Sequence, residues 1–309
     1  MVTYNQERWV PDAIESVRSQ DLEDWEIVVG DDGSTDGTLE IVRAIAAEED
    51  RIRILDTPEK LGPRANYIRT LNACRGEYVN QLDGDDVFLS ASKLSHQVAL
   101  VASDSSLIGA FCPAAKIDES GVEFDEPRRP HRPAERFGLV DFAEVCLADS
   151  STVLFRRQPD RVFPDWFNTI PMGDWPLHML NLRQGDYAYT DEVLAGYRIH
   201  GGGVWSKLTE EKQRWRILEC QRVFLEELAP ERAKEMAPGM VKRAYSIARN
   251  LAREGNTPQA RRVLKWVAEH APGAVPANRA LETKAVVYWR SVGELFGKRS
   301  PVLEESEVR

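Results

Sequence analysis

The chain has 309 residues with 40 Lys and Arg against 50 Asp and Glu, a formal net charge of -10 and no long basic block, which excludes a general nucleic-acid binder. Its 42% hydrophobic and 29% charged residues are those of an ordinary globular protein, long enough for one large α/β domain and a smaller appendage. Four scattered cysteines, Cys74, Cys112, Cys146 and Cys220, form no C-x-x-C pair and argue against a zinc site. With no signal peptide and no apolar run near the ~20 residues of a membrane span, the expectation is a cytoplasmic protein, able to work peripherally at the inner face of a membrane.

Taken in order, Val10, Ala13, Ile14 and Val17 fall at i, i+3, i+4 and i+7 and predict an amphipathic helix opened by Pro11. The apolar run from Trp25 to Val29 predicts a buried strand that stops at Asp31-Asp32-Gly33-Ser34. A second helix is expected from Thr38 to Glu49, with Leu39, Val42, Ile45 and Ala46 on one face, then a strand over Ile52 to Leu55. A third helix over about Ala65 to Cys74 precedes a strand from Tyr78 to Leu82 that ends at Asp83. Strands alternating with helices predict βαβ units and a mostly parallel sheet. From Ser90 to Tyr197 the pattern is irregular: 126–136 reads as a Pro- and Arg-rich loop, 173–184 as a helix, 187–200 as a strand pair. From Thr209 the chain reads as helical, and 241–270 resembles one tetratricopeptide-like helix-turn-helix, taken as an appendage rather than an array. The charged end, Ser300 to Arg309, is expected to fray.

Both acidic clusters follow a strand, where ligands of open α/β sheets bind. Asp83-Gly84-Asp85-Asp86 crowds three carboxylates into four positions. Such charges repel unless a cation neutralises them, and hard oxygen ligands suit Mg²⁺ or Mn²⁺. A solvated turn is the plainer alternative. Asp31 to Thr38 can equally be a turn and helix cap, though two adjacent Asp at a strand end suit recognition of a base or ribose.

Together with Val2-Thr3-Tyr4-Asn5, Leu61-Gly62 with Asn66, Gly76-Glu77-Tyr78, Gly173-Asp174-Trp175 and Tyr197-Arg198-Ile199-His200, these clusters resemble family 2 glycosyltransferases of the GT-A fold. The resemblance spans about residues 1–205, expected to be the catalytic domain, with 206–309 a helical C-terminal region. It implies a Rossmann-like, mostly parallel mixed sheet flanked by helices, and inverting transfer from a nucleotide sugar, commonly a UDP sugar, to a saccharide or glycoconjugate hydroxyl with Mn²⁺ or Mg²⁺. Position by position it implies uracil reading at Asp32, donor ribose contact at Asp83, metal ligation at Asp85, a catalytic base at Asp174, and a metal or diphosphate contact at His200. Thr3, Tyr4, Asn5 and Gly84 join the donor side through the same motifs.

Chemistry supports these roles: a single displacement needs a base for the acceptor proton and a cation for charge on the departing diphosphate. Asp174 can alternatively be only a helix cap, and His200 a structural histidine; Gly201-Gly202-Gly203 after it suggests a closing loop. Arg64 and Arg198 are candidates for diphosphate contact, and Trp166, Trp175 and Trp205 for stacking on a sugar. Trp9, Trp215, Trp266 and Trp289 read as core, and Arg128, Arg129 and Arg132 as a solvated loop or a face for an anionic acceptor. The family opens with a full apolar strand; only Met1 and Val2 precede Thr3 here, so a trimmed or missing first strand is expected. A sugar nucleotidyltransferase would want a Gly-rich basic phosphate loop near the N-terminus, which is lacking. A non-catalytic nucleotide-sugar-binding scaffold, with the C-terminal helices contacting a membrane or protein, is the remaining alternative.

Overall fold

The computed structural model describes residues 1–55, 60–130 and 134–274. Arg132, Trp289 and the stretch 300–309 lie outside them. Two compact units are present: Met1–Phe142 with Cys146–Gln213, and Ala143–Val145 with the chain from Arg214 onward.

The first unit opens with β1 (Val2–Thr3), α1 (Val10–Arg18), β2 (Ile27–Asp31), α2 (Thr38–Ala46), β3 (Ile52–Ile54), α3 (Pro63–Ala73) and β4 (Tyr78–Asn80). It continues with β5 (Val87–Phe88), α4 (Lys93–Ala102), β6 (Leu107–Phe111), β7 (Ala114–Ile117), β8 (Glu123–Asp125) and β9 (Arg136–Phe137). After α5 (Leu139–Glu144), whose last two residues count with the second unit, come β10 (Leu154–Arg156), α6 (Asp174–Leu182), β11 (Asp186–Tyr189) and β12 (Ala195–Arg198). The α1 stripe is buried as its spacing requires, Val10 and Ala13 fully. It packs into a core with Val29, Val42, Leu82, Leu94, Val101, Ala110 and Leu154.

β1, β2 and β3 form a parallel sheet in that order, and a parallel bridge from Val2 to Asp83 carries the order on to the segment leaving β4. The first strand is short but present. β2 is buried on both faces, hence its unbroken apolar run, and it extends to include Asp31. The later strands build mixed sheets, β4-β10-β6-β11-β9 and β5-β12-β7-β8, in which β6–β11 and β7–β12 are parallel. The strand pair expected over 187–200 is thus two strands in different sheets. Lys93, fully buried at the start of α4, donates to the side-chain oxygens of Asn80 and Gln97 and fixes the end of β4; burial pulls its ammonium down to about 8.

The second unit is helical. It contains most of α7 (Glu210–Val223), then α8 (Ala233–Arg253) and α9 (Thr257–His270). The turn between α8 and α9 uses Gly255 in the left-handed region, and the Asn256 side chain caps α9. Ala248, Leu251, Ala252, Ala260 and Val263 are buried between the two helices or beside them. No described helix is long and apolar enough to cross a membrane.

Candidate active site

The parallel register Thr3↔Asp31 and the Val2↔Asp83 bridge set three carboxyl strand ends side by side. The upstream acids are held before any ligand arrives. Asp31 accepts from Thr3 Oγ1 at 3.0 Å, Ser34 N at 2.8 Å and Ser34 Oγ at 2.5 Å. Asn5 adopts φ 54°, a region Asn tolerates, and its Oδ1 accepts from Thr35 N at 2.8 Å. Tyr4 is 44% exposed, with the Lys60 ammonium 3.6 Å from its ring centroid. Asp32 is buried, and one of its oxygens, Oδ1, receives Leu61 N at 3.0 Å and Gly62 N at 2.9 Å. Gly62, at φ 85°, turns the chain into α3 there. Half of the expected base-reading carboxylate therefore anchors the loop before α3.

In the second cluster each acid has a separate surrounding. Burial, and then Asp85, raise the Asp83 carboxyl to about 7. Gly84 is buried under the chain's own turn: a Cβ would meet Gln6 Oε1 at 2.6 Å and Thr3 Cγ2 at 2.8 Å. Its smallness thus serves the packing of residues 3–6. Asp85 Oδ2 lies 2.9 Å from His200 Nε2. Asp86 is buried, accepts Arg198 N at 2.9 Å, and is pushed well above the usual carboxylate range by burial and then by Asp85.

Arg198 is a clamp. Its guanidinium donates to the backbone oxygens of Asp85 at 2.8 Å, Asp118 at 3.1 Å and Glu119 at 3.2 Å, and its side chain is 2% exposed. That leaves it turned into the protein, contrary to the diphosphate contact expected for it. Arg64 likewise reaches across to the loop before α6, donating to Ile170 O at 2.8 Å and Met172 O at 2.6 Å.

That loop carries Asp174, the first residue of α6. Gly173 holds the N-cap position, and the Asp174 carboxyl, one residue on, accepts from the first-turn backbone N–H of Trp175. Burial raises its carboxyl above the ordinary value; the backbone N–H of Trp175, Arg64 and Arg128 oppose the rise. Asp83 and Asp174 feel each other electrostatically, as does Tyr67, whose buried hydroxyl has no hydrogen-bond partner among the described residues. Acids far apart in sequence thus lie within electrostatic reach of one another, as one acidic cluster. Arg128 reaches it too, 3.5 Å from Asp149, whereas Arg129 pairs with Asp191 away from it.

The aromatic expectations divide. Trp175 is 1% exposed and donates to Phe142 O at 2.7 Å, so it is core rather than a sugar platform. Trp166 stays half-buried, 6.0 Å from the Phe167 ring centroid, and Trp205 is half-buried in the turn after His200. Trp9, read as core, instead lies with its ring centroid 4.1 Å from that of His200. Neither Trp9 nor Tyr67 announces itself: Trp9 sits just before the α1 stripe and Tyr67 within a helix of weak periodicity.

Gly202 N points at His200 Nδ1 at 3.1 Å, so the imidazole accepts there and carries its proton on Nε2, towards Asp85. Adjacent ligands on a hard octahedral ion with ~2.1 Å bonds stand about 3 Å apart. The 2.9 Å Asp85–His200 separation fits that spacing, provided the proton moves to Nδ1. Among the described residues no three His, Cys, Asp or Glu side chains converge as a ready-made metal cage. Two protein donors suit an ion that completes its shell from phosphate and water.

The family model for glycosyl transferase family 2 matches residues 1–163. An uncharacterized protein of Mycobacterium tuberculosis is 30% identical over 218 residues, covering 69% of this chain and 62% of that one. The chain thus spans about three fifths of the length of the mycobacterial relatives it matches. Among solved structures, Staphylococcus aureus TarS 1–349 in complex with UDP-GlcNAc superposes with TM-score 0.66 at 17% identity, covering 97% of this chain and 91% of that one. The mannosyltransferase PcManGT from Pyrobaculum calidifontis, in complex with GDP-Man and Mn²⁺, gives 0.54 at 18%, covering 96% and 86%. At these identities the likeness establishes the fold.

Proposed function

The chain belongs to glycosyl transferase family 2, and from that premise we propose that it moves a sugar, with inversion, from a UDP-sugar to an acceptor hydroxyl. The observation that supports the proposal is the placing of Asp83 and Asp85 just beyond a strand end, Asp85 2.9 Å from His200, with Asp174 at the start of α6 within electrostatic reach of Asp83. The donor complex of TarS supports a nucleotide-sugar ligand, and the Mn²⁺ complex of the mannosyltransferase supports a divalent ion.

In this reading Asp85 and His200 hold Mn²⁺ or Mg²⁺, which when bound screens the charge of the donor diphosphate. Asp83 faces the donor ribose. Asp32 offers uracil N3–H the oxygen that does not receive Leu61 and Gly62. Thr3, Tyr4 and Asn5 form the wall of the donor site, Thr3 and Asn5 being held by bonds to the Asp31–Thr35 turn. Asp174 takes the acceptor proton; its burial raises its basicity and Arg64 holds its loop in place. Arg64 and Arg198 act through the backbone they hold. The acceptor is a saccharide or glycoconjugate, approached at a membrane surface or in the cytoplasm, and the C-terminal helices of the second unit are the segment available for partner contact.

The test is release of UDP from a panel of UDP-sugars with Mn²⁺, with and without mixed saccharide acceptors. Acceptor-stimulated UDP release, abolished by EDTA, is expected. Tight UDP binding without turnover on any donor would favour a nucleotide-sugar-binding scaffold instead.

A further inference from the structure

At the end of α6 remote from Asp174, the chain from Arg157 to Val162 walls a cavity of about 650 Å³ against Leu180, Arg183 and Gln184. Asp174 stands at the first position of α6 and Arg183 just past its last, so about 13 Å of helix separates these two residues, while Arg161 lies nearer the acidic cluster, within electrostatic reach of Tyr67. Three arginines, Arg157, Arg161 and Arg183, line it against a single acid, Asp160, in a protein whose net charge is -10.

Two of these arginines have unusual surroundings. Among the described residues neither Arg157 nor Arg161 forms an ion pair: Arg157 donates its Nε to Gly76 O at 2.8 Å, and Arg161 donates one Nη2 to Asn181 Oδ1. The other terminal nitrogen of Arg161, Nη1, and the Nε2 of neighbouring Gln158 are buried and have no partner among the described residues. Both side chains also line a second, water-sized void of about 10 Å³ against Leu71 and Phe155. Desolvation of Arg161 lowers its pKa, and no carboxylate offsets it. A guanidinium drawn out of water with an orphan donor costs free energy unless an anion completes it. Planar forks of this kind match phosphate oxygens in paired hydrogen bonds.

We infer that this arginine-lined cavity is a second binding site, separate from the donor cleft, for a phosphate or diphosphate group. The phosphate can arrive free or on a lipid headgroup. Val162, 88% exposed on the wall, is an apolar contact that only the second source would use.

The experiment is calorimetric titration of pyrophosphate in EDTA, so that no metal assists the donor cleft, with wild type, Asp85→Ala, Arg157→Gln, Arg161→Gln and Arg161→Lys. Saturable binding is expected in wild type and in Asp85→Ala, weakened about tenfold or more by either glutamine. Arg161→Lys should restore part of the loss, which a merely misfolded site would not. Sedimentation with phosphatidylglycerol vesicles, blocked by pyrophosphate and lost in Arg157→Gln, assigns the group to a lipid; no sedimentation assigns it to a soluble phosphate. Absence of saturable pyrophosphate binding, or binding unchanged in both glutamine variants, would overturn the inference. Because Asp85→Ala disables only the proposed donor site, failure of one site is distinguishable from failure of the other.

Discussion

Replacing Asp174 with Asn removes a proton acceptor while keeping size and most hydrogen bonding. Asn keeps an acceptor oxygen for the backbone N–H of Trp175 that the Asp174 carboxyl engages. Removing a negative charge from the first turn of α6 costs about 0.3–1 kcal/mol through the helix dipole. Against this, burial raises the Asp174 pKa in the fold, so ionising it there costs more than in the unfolded chain and removing the charge returns stability. The two effects oppose, and the melting temperature should move by no more than about 3 °C. Arg64 keeps its bonds to Ile170 O and Met172 O, so the loop should stay in place. Transfer, by contrast, should slow about 10²–10⁴-fold, the range for losing a general base. UDP affinity measured with Mn²⁺, melting, and acceptor-dependent UDP release on the one variant give all three readings. In wild type the acid limb of kcat/KM should lie above the ordinary carboxylate range. A variant with intact affinity and near wild-type turnover would refute the assignment. The search would then move to Asp165, since Asp191 is already engaged by Arg129 and Tyr189.

Asp85→Ala and His200→Gln should each abolish the EDTA-sensitive part of UDP binding measured by calorimetry. In wild type, nitrogen-15 spectra should show the His200 proton moving from Nε2 to Nδ1 when Mg²⁺ and UDP are added; an unchanged tautomer would remove His200 from the cation. Gly84→Ala should lose about 1–3 kcal/mol in urea unfolding, because the added methyl meets Gln6 and Thr3 at under 3 Å. His178 is 1% exposed, and burial lowers its pKa from 6.5 to about 3, so on acidification the unfolded chain takes up a proton that the fold does not. Stability linked to it is complete above pH 6.5 and falls towards pH 3, by about 2 kcal/mol between pH 6.5 and 4.5. Denaturation of His178→Gln across that range should show a correspondingly shallower decline.

Much of this was legible from local pattern. The α1 stripe, the apolar β2 run and the acids at strand ends follow from periodicity and from where strands stop. Uses that depend on remote partners were not legible. Nothing around Asp32 announces that the N–H groups of Leu61 and Gly62 take one of its oxygens, nor does Arg198 reveal that its donors face the carbonyls of Asp85, Asp118 and Glu119. Gly84 looked like a place for ligand approach because glycine reports closeness without saying to what; the neighbour is the turn after β1. Helix α2 stops at Ala46 rather than Glu49, as its polar last turn has no apolar face to bury. Trp9 escaped because its partner, His200, is nearly two hundred residues away.

The Arg198 clamp has a consequence for how the protein comes into being. The bonds from Arg198 to Asp85 and Asp86, and the contact of His200 with Asp85, close loops of more than 110 residues. Such closures are entropically late steps, made only after local helices and hairpins exist. A nascent or refolding chain therefore has Asp83 and Asp85 long before it has their histidine partner. Affinity for Mn²⁺ and UDP should accordingly emerge in the last kinetic phase of refolding, after helical circular dichroism has recovered, and a chain stopped before β12 should keep its secondary structure yet never acquire it.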